Sequence, residues 1–139
     1  MRLRTRHLFV TLLVLALAGC YPQLPSSDFV GVWVSTDGTS RVELSADGAA
    51  HLTSIPDSVL NYIAPKDGEY ERLDLDGVWE IEGQDSEGRQ VVAVDTRDDP
   101  ESPILGVGFR VDSRADPILL RIPLGDPDSN DFYDFTQME

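Results

Sequence analysis

Turn signals recur at short intervals along this chain, and they constrain its fold more than any other feature of the sequence. An acidic residue followed by glycine supplies the positive φ that tight hairpins need. Such pairs occur at Asp37-Gly38, Asp47-Gly48, Asp67-Gly68, Asp76-Gly77 and Glu87-Gly88. Between them lie short runs in which apolar and polar residues alternate, as in strands with one buried face. The pattern predicts an all-β fold, a small antiparallel β-barrel or meander.

About eight or nine strands are predicted, which is near the number that closes a small barrel filled by side chains. The alternating runs cover residues 29–35, 41–45, 49–53, 68–73, 77–82, 89–95, 104–112, 117–124 and 131–137. Alternation assigns Val42 and Leu44 to the interior and His51 to solvent. The same rule places Leu105 on one face with Phe109 and its apolar neighbours in the 104–112 run.

One helix interrupts the strand pattern. Val59, Leu60 and Ile63 have helical spacing and lie between Pro56 and Pro65. We therefore predict one short helix near residues 57–64, which begins after the first proline and ends before the second. Such a helix could cover one end of a barrel.

The first twenty residues carry an export signal. Arg2, Arg4 and Arg6 precede an apolar run over residues 8–17, which is too short to span a bilayer as a mature helix. The sequence Leu17-Ala18-Gly19-Cys20 follows and resembles the lipobox of bacterial lipoproteins. The resemblance implies cleavage before Cys20 and a lipid on its thiol; the alternative is an ordinary signal peptide followed by a chance cysteine.

This interpretation divides the chain into three parts. Residues 1–19 are the signal peptide, residues 20–28 are a lipidated N-terminus with a Pro- and Ser-rich tether, and residues 29–139 are a single β-domain. An extended tether of this composition spans about 3 Å per residue, so we expect the domain to lie roughly 20 Å from the bilayer. The expected location is lipid-anchored, on the outer face of the cell membrane or at the periplasmic or outer membrane.

The excess of acidic over basic residues excludes some classes of binding partner. The chain has 11 basic and 25 acidic residues, and removing the signal peptide would delete Arg2, Arg4 and Arg6 but no acid. Such an excess of negative charge argues against a nucleic-acid partner, because phosphate contacts need clustered cations. It favours cationic partners or metal ions. With Cys20 as the single cysteine, no intrachain disulfide can form.

Two short motifs resemble the Gly-x-Trp signature of lipocalins and related calycin barrels. They are Gly31-Val32-Trp33 and Gly77-Val78-Trp79, each at the start of a predicted hairpin. The wider layout, with Asp126-Pro127-Asp128 before the last strand, resembles small uncharacterised lipoproteins of GC-rich Gram-positive bacteria. The resemblance implies a tryptophan packed across the barrel floor. Four residues are candidates to line a pocket for a small apolar ligand or, alternatively, to fill the core: Trp33, Trp79, Phe109 and Leu120.

Candidate catalytic and metal-binding residues are few. His51, the one histidine after the predicted cleavage point, lies near Ser40 and Ser54 in sequence, but nothing resembles a nucleophile elbow. Asp126, Asp128 and Asn130 have the spacing with which a calcium loop starts, although the residues at its sixth and twelfth positions depart from that pattern. Asp, Ser and Asn are also ordinary turn formers, so we favour a turn, with no resident cofactor other than the lipid on Cys20.

The sequence favours a non-catalytic function. The first hypothesis is a membrane-anchored extracytoplasmic binding or interaction module, whose ligand is a small apolar molecule or an envelope protein. A surface hydrolase that uses carboxylates is the alternative, and it would need one acid with a raised pKa facing a second. A protein inhibitor or a structural spacer remains a third hypothesis, with no residues that single it out.

Overall fold

The computed structural model describes residues 20–66, 70–126 and 128–139. The predicted signal peptide, the Asp67-Gly68 turn and Pro127 therefore lie outside the described residues. Eight antiparallel strands follow one another around a closed, lipocalin-like barrel, and the last strand pairs with the first. The predicted all-β class is confirmed. The strands are β1 (Gly31–Ser35), β2 (Arg41–Leu44), β3 (Ala49–Pro56), β4 (Arg72–Gln84), β5 (Gln90–Asp95), β6 (Gly106–Asp112), β7 (Leu119–Pro123) and β8 (Phe132–Gln137).

Inward-facing apolar side chains fill the barrel. Val42 and Leu44 are buried as predicted, and His51 is exposed. In the middle of the core the rings of Phe109 and Phe135 meet edge to face, with 5.7 Å between their centroids. This packing is typical of a small barrel whose interior holds side chains instead of solvent.

The prediction for residue Leu105 is wrong. It was grouped with the apolar face of its run, but β6 begins one residue later, at Gly106. Leu105 lies in the loop before the strand, where its carbonyl accepts a hydrogen bond from the Thr96 backbone N–H at 3.1 Å. The side chain is 76 % exposed, while Val107, Phe109 and Val111 are buried.

One strand, β4, covers the end of the predicted run 68–73 and all of the predicted run 77–82, because Asp76-Gly77 is not a turn. β4 pairs with β3 as far as Val78 and with β5 from Val78 onward, so the chain passes from one neighbour to the other without reversing. Gly77 permits this crossing: a Cβ at this position would overlap the carbonyl oxygen of Asp95 on β5. The pairings on both sides therefore override the local turn signal. Glycines at positions 38, 48 and 88 do have positive φ, and each lies in a hairpin turn as predicted.

The predicted helix is shorter than expected. It covers Asp57–Leu60, labelled α1, and it buries Val59 completely against the core. It ends at a Schellman motif, in which Ile63 N–H bonds Ser58 O at 2.8 Å and Tyr62, with a φ of 59°, bonds Val59 O at 3.0 Å. The chain thus leaves the helix before the proline that was expected to stop it. Across the described ranges, no helix has the length and apolar character needed to span a membrane.

One end of the barrel is closed by residues 21–29, called the strap below. Its last part is a 3-10 helix, Ser26–Phe29, and Phe29 is fully buried beneath it. The indole N–H of Trp33 donates to Phe29 O at 2.9 Å, and Leu24 packs against the core. Residues 20–28 were interpreted as an extended tether. The structure differs from that interpretation, because these contacts hold the segment against the barrel.

Gly77→Ala should destabilise the barrel by about 1–3 kcal/mol, because the new methyl group can be accommodated only if β4 and β5 separate. Gly108→Ala is the matched control on β6. There the methyl group would meet Val91 at an ordinary 3.6 Å and φ is not positive, so we expect a gain of about 0.5 kcal/mol. Urea unfolding curves measure both changes. Equal stabilities for the two variants would contradict the close approach at Gly77.

Candidate functional site

The four residues predicted to line a pocket or fill the core occupy two different environments. Trp33, Phe109 and Leu120 are at most 1 % exposed and lie together in the hydrophobic core. They fill the barrel interior instead of lining a cavity in it. Trp79 is only partly buried, packs against the edge of the core, and faces an open groove on the side of the barrel.

The groove exists because two paired strands differ in length. β3 starts at Ala49, opposite Val78, whereas β4 continues beyond that point to Gln84. The inner face of this overhang carries Trp79 and Ile81, and β3 does not cover it. The β2–β3 turn partly covers it instead, since the indole N–H of Trp79 donates to Ser45 O at 2.8 Å.

The groove is lined by both apolar and acidic residues. Its volume is about 680 Å³. Apolar surface comes from Val30, Trp79 and Ile81, the acidic residue Asp47 lies on the turn, and Glu80 of β4 borders the groove. The strap supplies the remaining wall with Ser26 and Ser27. This arrangement suits a ligand with an apolar part and a positive charge, because an indole face and nearby carboxylates both attract cations.

Sequence reasoning identified Trp79 but missed the rest of the groove. Ser26 and Ser27 lie in the segment interpreted as a tether, so they were not considered as part of any site. The signal that could have revealed them is Leu24, an apolar residue that a free tether has no reason to contain. Asp47 was recognised only as a turn residue.

A polar cluster lies beneath the β1–β2 turn. The Ser40 hydroxyl, 1 % exposed as a residue, donates to Ser54 O and meets the Tyr133 hydroxyl, both at 2.8 Å. Tyr133 also lies 3.2 Å from the Asp37 carboxylate, which accepts hydrogen bonds from Ser35 and Thr39. Partial burial would raise the pKa of Asp37, but these hydrogen bonds outweigh it and lower the pKa. The cluster holds the turn and the last strand together.

His51 and the serines near it in sequence are not brought together. His51 faces solvent and its Nδ1 pairs with the Asp76 carboxylate on β4. Ser40 is buried inside the barrel wall, where its hydroxyl already contacts the Ser54 carbonyl. The structure therefore assembles no histidine-activated serine from these residues.

The pKa shifts of the carboxyl groups run in the direction opposite to the one that a hydrolase needs. Hydrogen bonds from Arg97 lower the pKa of Asp95 to about 2. Burial opposes the effect at Asp85, but hydrogen bonds from Arg89 still lower its pKa. Backbone hydrogen bonds lower that of Asp99. A general acid requires a raised pKa, and these groups do not supply one.

The candidate calcium residues form the turn between β7 and β8. Asp126 accepts the Asp128 backbone N–H at 3.1 Å, and Asn130 has a φ of 54°. Ser129 donates its hydroxyl to Leu124 O at 2.9 Å, which ties the turn to β7. Within the part of the chain that the structure describes, no three acidic, histidine or cysteine side chains are grouped to hold a metal ion.

Comparison with known proteins gave no match to a protein-family model, to a curated protein or to a solved structure.

Stability should fall in acid partly through Asp37. Its folded-state pKa is lowered, so its contribution is present above the ordinary value of 3.8 and is lost as the pH falls through the folded-state pKa. Asp37→Asn should be less stable than the parent at pH 7 and should lose less stability between pH 5 and pH 2. Asp98→Asn, at an exposed carboxylate, is the control. Urea midpoints across this pH range measure the effect; parallel profiles for Asp37→Asn and the parent would contradict it.

Proposed function

We propose that this protein is a membrane-anchored extracytoplasmic lipoprotein whose barrel is a non-catalytic binding module. The evidence for a membrane anchor is the order of three features at the start of the sequence. A basic segment is followed by an apolar run of signal-peptide length and then by Leu17-Ala18-Gly19-Cys20. Cys20 is the first residue that the structure describes, and it is exposed next to a folded barrel. An acyl group on this thiol would therefore be free to enter a bilayer.

The binding function rests on the Trp79 groove. An interior carrier site has no support, because Trp33, Phe109 and Leu120 are packed in the core. The groove offers apolar surface beside Asp47 and Glu80, so we propose that its ligand is amphipathic, with an apolar part and a cationic group. A ligand of this kind also matches the acidic character of the whole chain.

Cys20→Ala should abolish acylation. We expect the full chain, expressed in a bacterium that processes lipoproteins, to partition into membranes and to have the mass of residues 20–139 plus a diacylglyceryl group. The variant should lose both properties while keeping the circular dichroism spectrum of the barrel. Cleavage without added lipid in the parent chain would contradict the proposal and favour an ordinary signal peptide.

Trp79→Ala should weaken binding of a cationic amphipath at least tenfold. The probe is decyltrimethylammonium below its micelle concentration, and calorimetric titration measures its affinity against that of decyl sulfate, which has the same chain length and opposite charge. Trp79→Phe keeps an apolar ring without the indole N–H and should retain part of the affinity, which separates loss of contact from loss of folding.

Glu80→Gln tests the charge preference at the same groove without removing the aromatic surface. It should reduce the preference for the cationic probe, because one negative charge at the border of the groove is neutralised. Glu82→Gln, two residues along the same strand and outside the groove, should leave the preference unchanged. Equal affinity for the two probes in the parent protein would rule out the proposed ligand chemistry.

A further inference from the structure

The strap crosses the end of the barrel from one side to the other. It leaves β1 at Gly31 and reaches the start of β5, and these two strands lie opposite each other in a closed ring of eight. Leu24 packs against the core on the way. Residue Cys20 therefore lies beside the wall formed by β5 and its neighbours, on the far side of the barrel from β1.

Gln90, the first residue of β5, holds the strap in place. Its side-chain amide accepts the Leu24 backbone N–H at 2.7 Å and donates to the Leu24 carbonyl at 2.9 Å. The residue is only 6 % exposed, so both hydrogen bonds are partly shielded from water. Gln23 adds a hydrogen bond from its side chain to Gly88 O at 3.3 Å. These contacts fix the strap on the β4–β5 turn.

Tyr21 completes the attachment next to the cysteine. The guanidinium carbon of Arg114, in the β6–β7 turn, lies 4.0 Å from the centroid of the Tyr21 ring, and that of Arg89 lies 5.9 Å from it. Arg89 also forms an ion pair with Asp85 at 2.8 Å. Since adjacent Cα atoms are about 3.8 Å apart, Cys20 has almost no free chain between it and the barrel.

We infer that the anchored barrel stands with its strap end directly on a phospholipid bilayer, with Tyr21 and Arg114 facing the headgroups. The inference rests on the proposed acylation of Cys20. Because the strap is bound to the barrel, an acyl chain on Cys20 brings this end to the membrane surface, and the free spacer of about 20 Å that an extended tether would provide is absent.

The charge distribution agrees with this orientation. Eight basic residues follow Cys20 in the sequence, and four of them lie in the β4–β5 turn, on β6, in the β6–β7 turn and on β7: Arg89, Arg110, Arg114 and Arg121. Ion pairs with Asp85, Asp112 and Asp134 balance much of this charge. The opposite end carries the acidic β5–β6 and β7–β8 loops. An anionic bilayer repels those loops. The strap end carries acids as well, Asp47 on the β2–β3 turn and Asp85 and Glu87 on the β4–β5 turn, and the last two are ion-paired with Arg89.

Energy transfer from two positions to a headgroup dye tests the orientation. The full chain is expressed with its signal, purified in the acylated form and placed in vesicles of phosphatidylglycerol and phosphatidylcholine that contain the dye. Once Cys20 is acylated, an introduced cysteine is the one free thiol of the mature chain. Ser86→Cys labels the β4–β5 turn at the strap end, and Ala64→Cys labels the opposite end, after α1.

Transfer should be several-fold more efficient from position 86 than from position 64. Inserting Gly-Ser four times between Cys20 and Tyr21 leaves the strap contacts intact but adds a flexible spacer, and it should reduce the difference between the labels. Gln90→Ala should also reduce the difference in transfer between the two labels. Gln84→Ala, at the exposed position on β4 that pairs with Gln90, should leave that difference unchanged. An intact mass for each sample reports acylation independently of the orientation.

Three results would count against the inference, and they are distinguishable. Acylated protein with equal transfer from both labels, or with greater transfer from position 64, would refute the orientation and leave the proposed lipoprotein function standing. Protein that carries no acyl group would refute both. Unequal transfer that the inserted spacer does not change would also count against the inference, because the strap contacts would then not be the cause.

Discussion

The pairing of β1 with β8 is the constraint on which the rest of this structure depends. It joins Trp33 to Gln137 and Ser35 to Phe135, and Met138 N–H adds a hydrogen bond to Val32 O at 2.8 Å. These residues are about a hundred positions apart, so the whole meander must be in register before the pairing can form. Once the barrel is closed, each described strand pairs with a neighbour on both sides, although β4 extends past the start of β3. Apolar side chains fill the interior.

A filled interior moves any binding site to the outside of the wall, and the two Gly-x-Trp motifs illustrate this. Trp33 is covered by the strap and becomes part of the floor, with its indole N–H bonded to Phe29 O. Trp79 occupies the equivalent place on a strand that extends past its neighbour, so it lies at the edge of a groove. The same local sequence therefore gives a core residue in one hairpin and a surface site in the other.

The sequence allowed the fold class to be predicted because alternation is a local property: Val42 and Leu44 point inward whatever the rest of the chain does. The sequence was not sufficient to predict local structure at positions where a distant segment of the chain determines it. Asp76-Gly77 has the composition of a turn, yet β3 and β5 hold it within a continuous strand. In the same way, Pro22 and Pro25 make the strap resemble a linker in sequence. Its attachment to the barrel depends instead on Gln90, which is 66 residues away from Leu24.

The strap connects the two proposals physically. Its 3-10 helix provides Ser26 and Ser27 to the groove, and the residues just before that helix are bound to Gln90 and to the β4–β5 turn. If the strap end rests on a bilayer, the groove opens near the headgroups, where an amphipathic cation is concentrated by an anionic surface. The position of the anchor and the chemistry of the groove then favour the same class of ligand.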